Sequence, residues 1–404
     1  MTASAPRSIL PPLSADEQAH SERLAAFIAA QLLAAGGWLS FERFMELALY
    51  APGLGYYSAG SAKLGPDGDF VTAPEVSDLF SRCIARQCAA VLGDVGGEIL
   101  EIGAGSGRMA AAVVTELAAR DALPERYAIL EVSAELIERQ RERLGRLPRA
   151  LSERIVWLER LPQELRGVVL ANEVCDALPF RRFRCTEQGI RELGVVLDRR
   201  SAARASPAER PVGFTDGEAP ADDTLAAAYE ETRASLAEPL SAGYTSELCL
   251  RAAPWIAALA ACLDRGLLLL CDYGLPRRHY YHRERYTGTL RCHYKHRAHE
   301  DPYINLGVQD ITAWVDFTRI ADAGLAAGLA VSGFATQAAF LLGCGIEELV
   351  QEASGDAARA RLAGEARRLI MPEEMGEAFK MMALTRNVTV PLAGFALQDL
   401  RHLL

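Results

Sequence analysis

Lysine is almost missing from this chain: of 43 basic residues, only Lys63, Lys295 and Lys380 are lysines. Arginine and alanine are abundant, which reads as a genome-wide compositional bias, so arginine counts carry little functional meaning. Paired cysteines are missing too. The nine cysteines stand singly at 83, 88, 175, 185, 249, 262, 271, 292 and 344, an odd set without C-x-x-C that excludes a disulfide framework and fits a reducing cytoplasm. No apolar run reaches the ~18 residues of a membrane span, and Gly266-Leu-Leu-Leu-Leu-Cys271 has the length of a buried strand. The first twenty residues contain a single arginine, Arg7, among Pro, Ser and acids. They match neither a secretory signal nor an arginine-rich transit peptide and read as a mobile tail. Positive charge is in deficit overall, since the net charge is −10, which argues against coating nucleic acid through bulk charge.

What is present is the patterning of a folded α/β protein. Half of the 404 residues are hydrophobic and 24% are charged, enough for one large domain with insertions or for two. Helical spacing over Ser21–Ala35, Phe41–Tyr50 and Ser77–Leu92 predicts a helical N-terminal extension, residues 21–92, with a loop covering the site. From residue 97, short apolar strands alternate with helices: strand 97–102, helix 108–119, strand 126–131, helix 133–144, strands 154–158 and 167–172. That alternation predicts a parallel sheet with right-handed crossovers, whose ligands lie at the carboxyl ends of the strands where the winding reverses. A β excursion (180–198), a polar segment (199–222) and helices near 223–236 and 250–264 form a substrate-side insertion, 180–265, before strand 267–272 resumes the sheet. A basic loop (275–300), a helix near 309–325, a strand near 328–334, further helices and a closing strand Phe379–Leu384 complete the second part of the core, 266–390. Residues 391–404 read as a C-terminal tail.

The glycine run is the most specific local signal. Glu101-Ile-Gly-Ala-Gly-Ser-Gly-Arg108 places Gly103, Gly105 and Gly107 between strand Glu98-Ile-Leu-Glu-Ile102 and a helix, where the backbone must bend and a ligand must approach closely. A dinucleotide site would need Gly or Ala where Arg108 stands. The string E-x-G-x-G-x-G instead resembles motif I of the class I S-adenosylmethionine-dependent methyltransferases. Glu131, at the tip of strand Tyr127–Glu131, has two acceptor oxygens suited to both ribose hydroxyls of an adenosine. Asn172, Glu173 and Asp176 follow the apolar run Val168–Ala171 at the expected switch point, and Asp272 closes the next sheet strand. If the acceptor is an arginine, whose guanidinium stays charged, two or more converging acids are expected; Glu173, Asp176, Glu75 and Asp272 are the candidates. Glu247 is a weaker one. Five of the seven histidines lie in 277–299 among arginines and tyrosines. Their spacing matches no zinc module, which leaves an electropositive lip for nucleotide bases or an acidic partner, or a loop that neutralises acids elsewhere.

The chain is similar over most of its length to a known family. Gly65-x-x-Gly-Asp-Phe-x-Thr-Ala-Pro-Glu75, Asn172-Glu-x-x-Asp-x-Leu-Pro179, Leu270-Cys-Asp-Tyr-Gly274, Gly288-Thr-Leu290, Asp310-Ile-Thr312, Val315-Asp-Phe317, Met375-Gly376 and Phe379-Lys380 resemble the MidA-like family. Mitochondrial members of that family assist assembly of respiratory complex I by methylating an arginine of one subunit. The resemblance implies a class I methyltransferase fold: a seven-stranded, mostly parallel Rossmann-like sheet with helices on both faces. It implies S-adenosyl-L-methionine as cofactor and a protein arginine, of a complex I subunit or another protein, as acceptor. By the same resemblance Glu101, Gly103, Gly105, Gly107 and Glu131 would bind the cofactor, and Thr72, Pro74, Glu75, Asn172 and Glu173 would border donor and acceptor. No metal is expected. Without a mitochondrial presequence, a bacterial, cytoplasmic member is expected, and a homodimer is left open. Two alternatives stand beside this reading: an assembly factor that binds the cofactor with little or no catalysis, and a nucleic-acid or small-molecule methyltransferase, which the basic loop alone favours.

Overall fold

The computed structural model describes residues 10–59, 71–198 and 212–404, so Gly65–Phe70 of the first family motif and most of the polar segment, 199–211, lie outside the described residues. Two compact units divide the chain, and each is assembled from separated stretches. One contains 71–176, 251–280 and 314–404; the other contains the residues up to 70, 177–250 and 281–313.

The first unit is built on the alternating segment. Five parallel strands run side by side: Ile155–Leu158, Tyr127–Leu130, Glu98–Ile102, Leu165–Asn172 and Leu263–Leu275. Phe379–Arg386 is antiparallel to Leu263–Leu275, and Ala330–Thr336 is antiparallel to Phe379–Arg386. The sheet has eight strands where seven were expected. The extra one is Val315–Asp316, which pairs with Gly274 and Leu275 because the thirteen-residue Leu263–Leu275 overruns its neighbours. Its strands are apolar on both faces because both faces are covered. Ile99, Val168, Leu170, Leu267 and Leu269 meet helices Asp78–Val95 and Arg108–Ala119 on one side. On the other, Gly324 of helix Phe317–Ala326 lies against Leu384.

Gly97, Gly167 and Gly266 form a row at the amino-terminal end of the sheet. A Cβ at Gly97 would stand 2.0 Å from the Arg166 carbonyl oxygen, one at Gly167 2.0 Å from that of Glu98, and one at Gly266 1.9 Å from that of Gly167. All three have positive φ. A side chain here would collide with backbone, which cannot rotate away.

The other unit joins helices Ala15–Ala34 and Phe41–Tyr50 to two small antiparallel sheets. Arg181–Thr186, Gly189–Leu197, Thr245–Leu248, Leu39–Ser40 and Phe214–Pro220 form the larger; Arg291–Tyr294, Arg297–His299 and Asp310–Thr312 form the smaller. Leu24, Ile28, Phe41, Phe44, Phe180, Phe214, Cys292 and Ile311 share its core.

Several expectations are corrected. Residues 15–20, read as tail, begin a helix closed by a capping box: the Ser14 hydroxyl accepts from the Glu17 amide, and the Glu17 carboxylate accepts from the Ser14 amide. Part of the polar segment is a strand, Phe214–Pro220, pairing with Gly189–Leu197. The helix expected at 309–325 starts at Phe317, because Asp310–Thr312 is ladder-bonded to Arg291–His293 and Asp316 caps the helix through the Arg319 amide. The C-terminal stretch is a packed segment: the Phe395 ring stacks edge-on with Phe340 at 5.3 Å, and the Leu400 amide donates to the Phe334 carbonyl. Helix Ala252–Cys262, assigned to the insertion, belongs to the sheet-bearing unit. No helix among the described residues is long and apolar enough to cross a membrane.

Candidate functional site

The winding of the large sheet reverses between Glu98–Ile102 and Leu165–Asn172, and every predicted site residue except the weak candidate Glu247 lies in this unit, near the carboxyl ends of its strands or beside the short helix Ala73–Val76. The glycine turn is left-handed at each glycine, with φ of 67° at Gly103, 53° at Gly105 and 76° at Gly107. Gly107 immediately precedes helix Arg108–Ala119, so the turn presents backbone at a helix amino terminus. A Cβ on Gly103 would touch Val174 at 3.3 Å and one on Gly107 would touch Gln140 at 3.3 Å. The turn is therefore wedged between the 173–176 loop and helix Ala134–Leu144.

Three further segments lock onto that turn. Ser106 donates its hydroxyl to the Glu75 carboxylate. Arg108 donates to the Glu75 carbonyl at 2.7 Å and to Asp78 at 2.9 Å, which accounts for an arginine where a dinucleotide site would need Gly or Ala. Gln140 donates to the Gly105 carbonyl at 2.9 Å and to the Glu131 carboxylate at 3.2 Å. The other Glu131 oxygen accepts from the amides of Val132 at 2.9 Å and Ser133 at 3.0 Å, so this acid at the strand tip has a fixed orientation. Glu101 behaves differently from the expectation that it lines the cofactor. Its carboxyl is 1% exposed and takes the Tyr127 hydroxyl at 2.7 Å, so it braces the turn from beneath. Burial pushes its pKa up to about 7, against the opposing effect of the Tyr127 hydrogen bond.

The acids gather at the ends of two adjacent strands. Glu173 has a left-handed backbone, φ 53°, uncommon for a residue with a side chain, and its amide donates to the Cys271 carbonyl at 2.8 Å. Asp272 accepts from the amides of Cys175 at 2.9 Å, Asp176 at 3.2 Å and Tyr273 at 2.9 Å. It shapes the 173–176 loop. Burial first, then the charges of Asp176 and Glu173, hold its pKa well above the usual carboxylate range. Asn172 donates to Glu173 at 3.3 Å, while its buried side-chain oxygen accepts no hydrogen bond among the described residues. The structure thus brings Glu173, Asp176 and Asp272 together with Asn172. Glu75, grouped with them from sequence, is engaged with Ser106 and Arg108 instead. Thr72 begins the short helix Ala73–Val76 and Pro74 is buried within it.

Sequence reasoning missed Ser106, Arg108, Tyr127, Gln140 and Trp157 as members of this arrangement. Only Arg108 carried a signal, as the residue that breaks the dinucleotide pattern. Glu247, the weak candidate, lies in the other unit, where its buried carboxylate accepts from the Thr289 amide at 2.9 Å and fixes the 288–290 turn. Within the basic segment, Arg277 pairs with Asp316 and Asp322, Arg291 with Glu300 and Lys295 with Glu17. Among the described residues no cluster of His, Cys, Asp or Glu is placed to hold a metal.

The residues fit an adenosyl sulfonium cofactor: a turn of three left-handed glycines that presents bare backbone at a helix amino terminus, an oriented carboxylate for a diol and a buried unmatched acceptor on Asn172. Known proteins agree. A family model described as "Putative S-adenosyl-L-methionine-dependent methyltransferase" matches residues 83–335. A solved protein from Burkholderia thailandensis, bound to S-adenosyl-homocysteine, is 40% identical, superposes with a TM-score of 0.89 and covers 98% of this chain and 100% of its own. The protein arginine methyltransferase NDUFAF7, mitochondrial, of Danio rerio is 27% identical over 91% of both chains. The Homo sapiens protein of that name is 26% identical over 86% of this chain and 80% of its own.

Proposed function

The chain belongs to this family of S-adenosyl-L-methionine-dependent methyltransferases, and on that premise we propose that it methylates an arginine nitrogen of a protein partner. The observation that carries the choice of acceptor is the set of acids, Glu173, Asp176 and Asp272, at the two strand ends beside the glycine turn. A guanidinium stays charged at any physiological pH and presents its N–H groups in a planar fork that carboxylates bind bidentately. Glu173 and Asp176 would hold that fork and leave one nitrogen facing the donor. Asp272, occupied by three backbone amides, positions the loop that carries them. The curated relatives, named protein arginine methyltransferases, support the same acceptor class.

When bound, the cofactor supplies an electrophilic methyl group for in-line displacement, so the protein's part is orientation and electrostatics. Gly103, Gly105 and Gly107 admit it against bare backbone, Glu131 accepts its ribose hydroxyls, and Asn172 offers its side-chain oxygen to a donor group. Thr72 and Pro74 border the site through the short helix, which Glu75 ties to the turn. The acceptor protein we favour is a respiratory-complex subunit, methylated in a bacterial cytoplasm.

Radiolabelled methyl transfer into host-cell extract, followed by mass spectrometry of the labelled product, tests this. Label on a protein arginine is expected, and label on nucleic acid, on a small molecule or on lysine overturns it. Glu173→Gln should lower transfer about 10²-fold while leaving S-adenosyl-homocysteine affinity within about threefold. Gly105→Val should abolish that affinity in calorimetry, because a branched side chain would occupy a left-handed position in the cradle.

A further inference from the structure

Gln140 is fully buried on helix Ala134–Leu144, nine residues beyond Glu131, and its amide touches three parts of the sheet's carboxyl-terminal rim. Its nitrogen donates to the Gly105 carbonyl at 2.9 Å and to Glu131 at 3.2 Å; its oxygen accepts from the Trp157 indole N–H at 2.9 Å. An amide can be turned over without changing its shape, so its orientation must be set by its partners. Here they allow one orientation only. An indole N–H can donate but never accept, and a backbone carbonyl can accept but never donate. Trp157 therefore takes the oxygen end, and the NH2 end must face Gly105 and Glu131. The same residue touches the turn a second time, because Gly107 lies against its Cα, Cβ and Cγ, at 3.3–3.5 Å from where a Gly107 Cβ would stand.

We propose that Gln140 is a positioning residue for cofactor binding: it sets the separation and aim of the Glu131 carboxylate relative to the glycine turn, and Trp157 sets Gln140. The inference rests on the reading of Glu131 as the ribose acceptor. One rigid amide then couples the backbone that faces the cofactor to the carboxylate that faces its ribose. Both ends of the adenosyl group's seat move together or not at all. Without the amide, Glu131 keeps its two backbone donors but loses the one that references it to Gly105, and its side chain can rotate away from the turn. The preorganisation on which affinity depends is lost.

A double-mutant cycle on the full chain, read by calorimetric binding of S-adenosyl-homocysteine, tests the assignment. Gln140→Met keeps the volume and removes the amide, and should weaken binding about tenfold, as expected for a lost hydrogen bond to a charged group. In a Glu131→Gln background the same change should cost less than about twofold, since the group it positions is gone. Trp157→Phe, which removes the indole N–H and leaves Gln140 in place, is the milder companion if Gln140→Met folds poorly. It should weaken binding by about threefold and should likewise lose its effect beside Glu131→Gln. Apo melting temperatures of all variants separate stability from binding. Equal penalties in the two backgrounds overturn the proposal, as does a lowered melting temperature with unchanged affinity. If Glu131→Gln alone leaves affinity unchanged, the ribose reading fails by itself, whatever Gln140→Met does.

Discussion

Glu101 shows how much depends on a single carboxyl beneath the glycine turn. Its pKa in the folded protein is about 7, against 4.5 when exposed, so folding favours its protonated form. The stabilisation is complete below pH 4.5 and is lost as pH rises through about 7. Above that, the buried charge is a standing cost on the order of 3 kcal/mol. Glu101→Gln keeps an oxygen for the Tyr127 hydroxyl and has nothing to ionise. We therefore expect the melting temperature of the wild-type chain to fall relative to Glu101→Gln between pH 5 and 8; parallel melting curves over that range would refute the buried-acid assignment. Glu173 carries a different cost at the same scale, a left-handed backbone on a residue with a side chain, which places its carboxyl at the strand end.

At the scale of elements, the packed C-terminal segment invites a direct test. Phe395 is 8% exposed, lies against Gly333 and stacks on Phe340, so Phe395→Ala should destabilise the chain by about 3 kcal/mol. Chemical denaturation measures this, and a change below about 1 kcal/mol would mean that the segment is a tail after all. The same elements show what sequence can and cannot convey. Phe41–Tyr50 and Arg108–Ala119 match their predicted spans because apolar spacing runs through each and one end is punctuated, by Pro52-Gly53 after the first and by Gly107 before the second. Phe214–Pro220 escaped because it pairs with Gly189–Leu197 alone and is mostly exposed, so it shows no apolar alternation to read. Ala15–His20 escaped for the opposite reason: its apolar content is slight, although Ser14 and Glu17 spelled out the capping box. In the site, residue types were legible and partnerships were not. Asp272 reaches the Cys175 amide across 97 positions and Ser106 reaches Glu75 across 31, and no local spacing encodes contacts of that range.

The whole molecule has two compact units, each with its own buried cluster. All the residues assigned to the cofactor lie in the unit formed by 71–176, 251–280 and 314–404. Scanning calorimetry should resolve two transitions, and S-adenosyl-homocysteine at a hundred times its dissociation constant should stabilise one of them by about 2.7 kcal/mol. A single transition that moves as a whole would show that the units unfold together.

The glycine row at the far end of the sheet has a consequence for how such a chain can diverge. At Gly97, Gly167 and Gly266 even alanine would press into a neighbouring strand's carbonyl, so these positions tolerate no drift while the sheet persists. At the opposite rim the turn Gly103–Gly107 is constrained through its left-handed backbone as well, but the acids beside it are side chains, and side chains can be exchanged. A lineage built on this sheet can therefore exchange the side chains around Glu173 and Asp176 while its scaffold stays anchored at the far end.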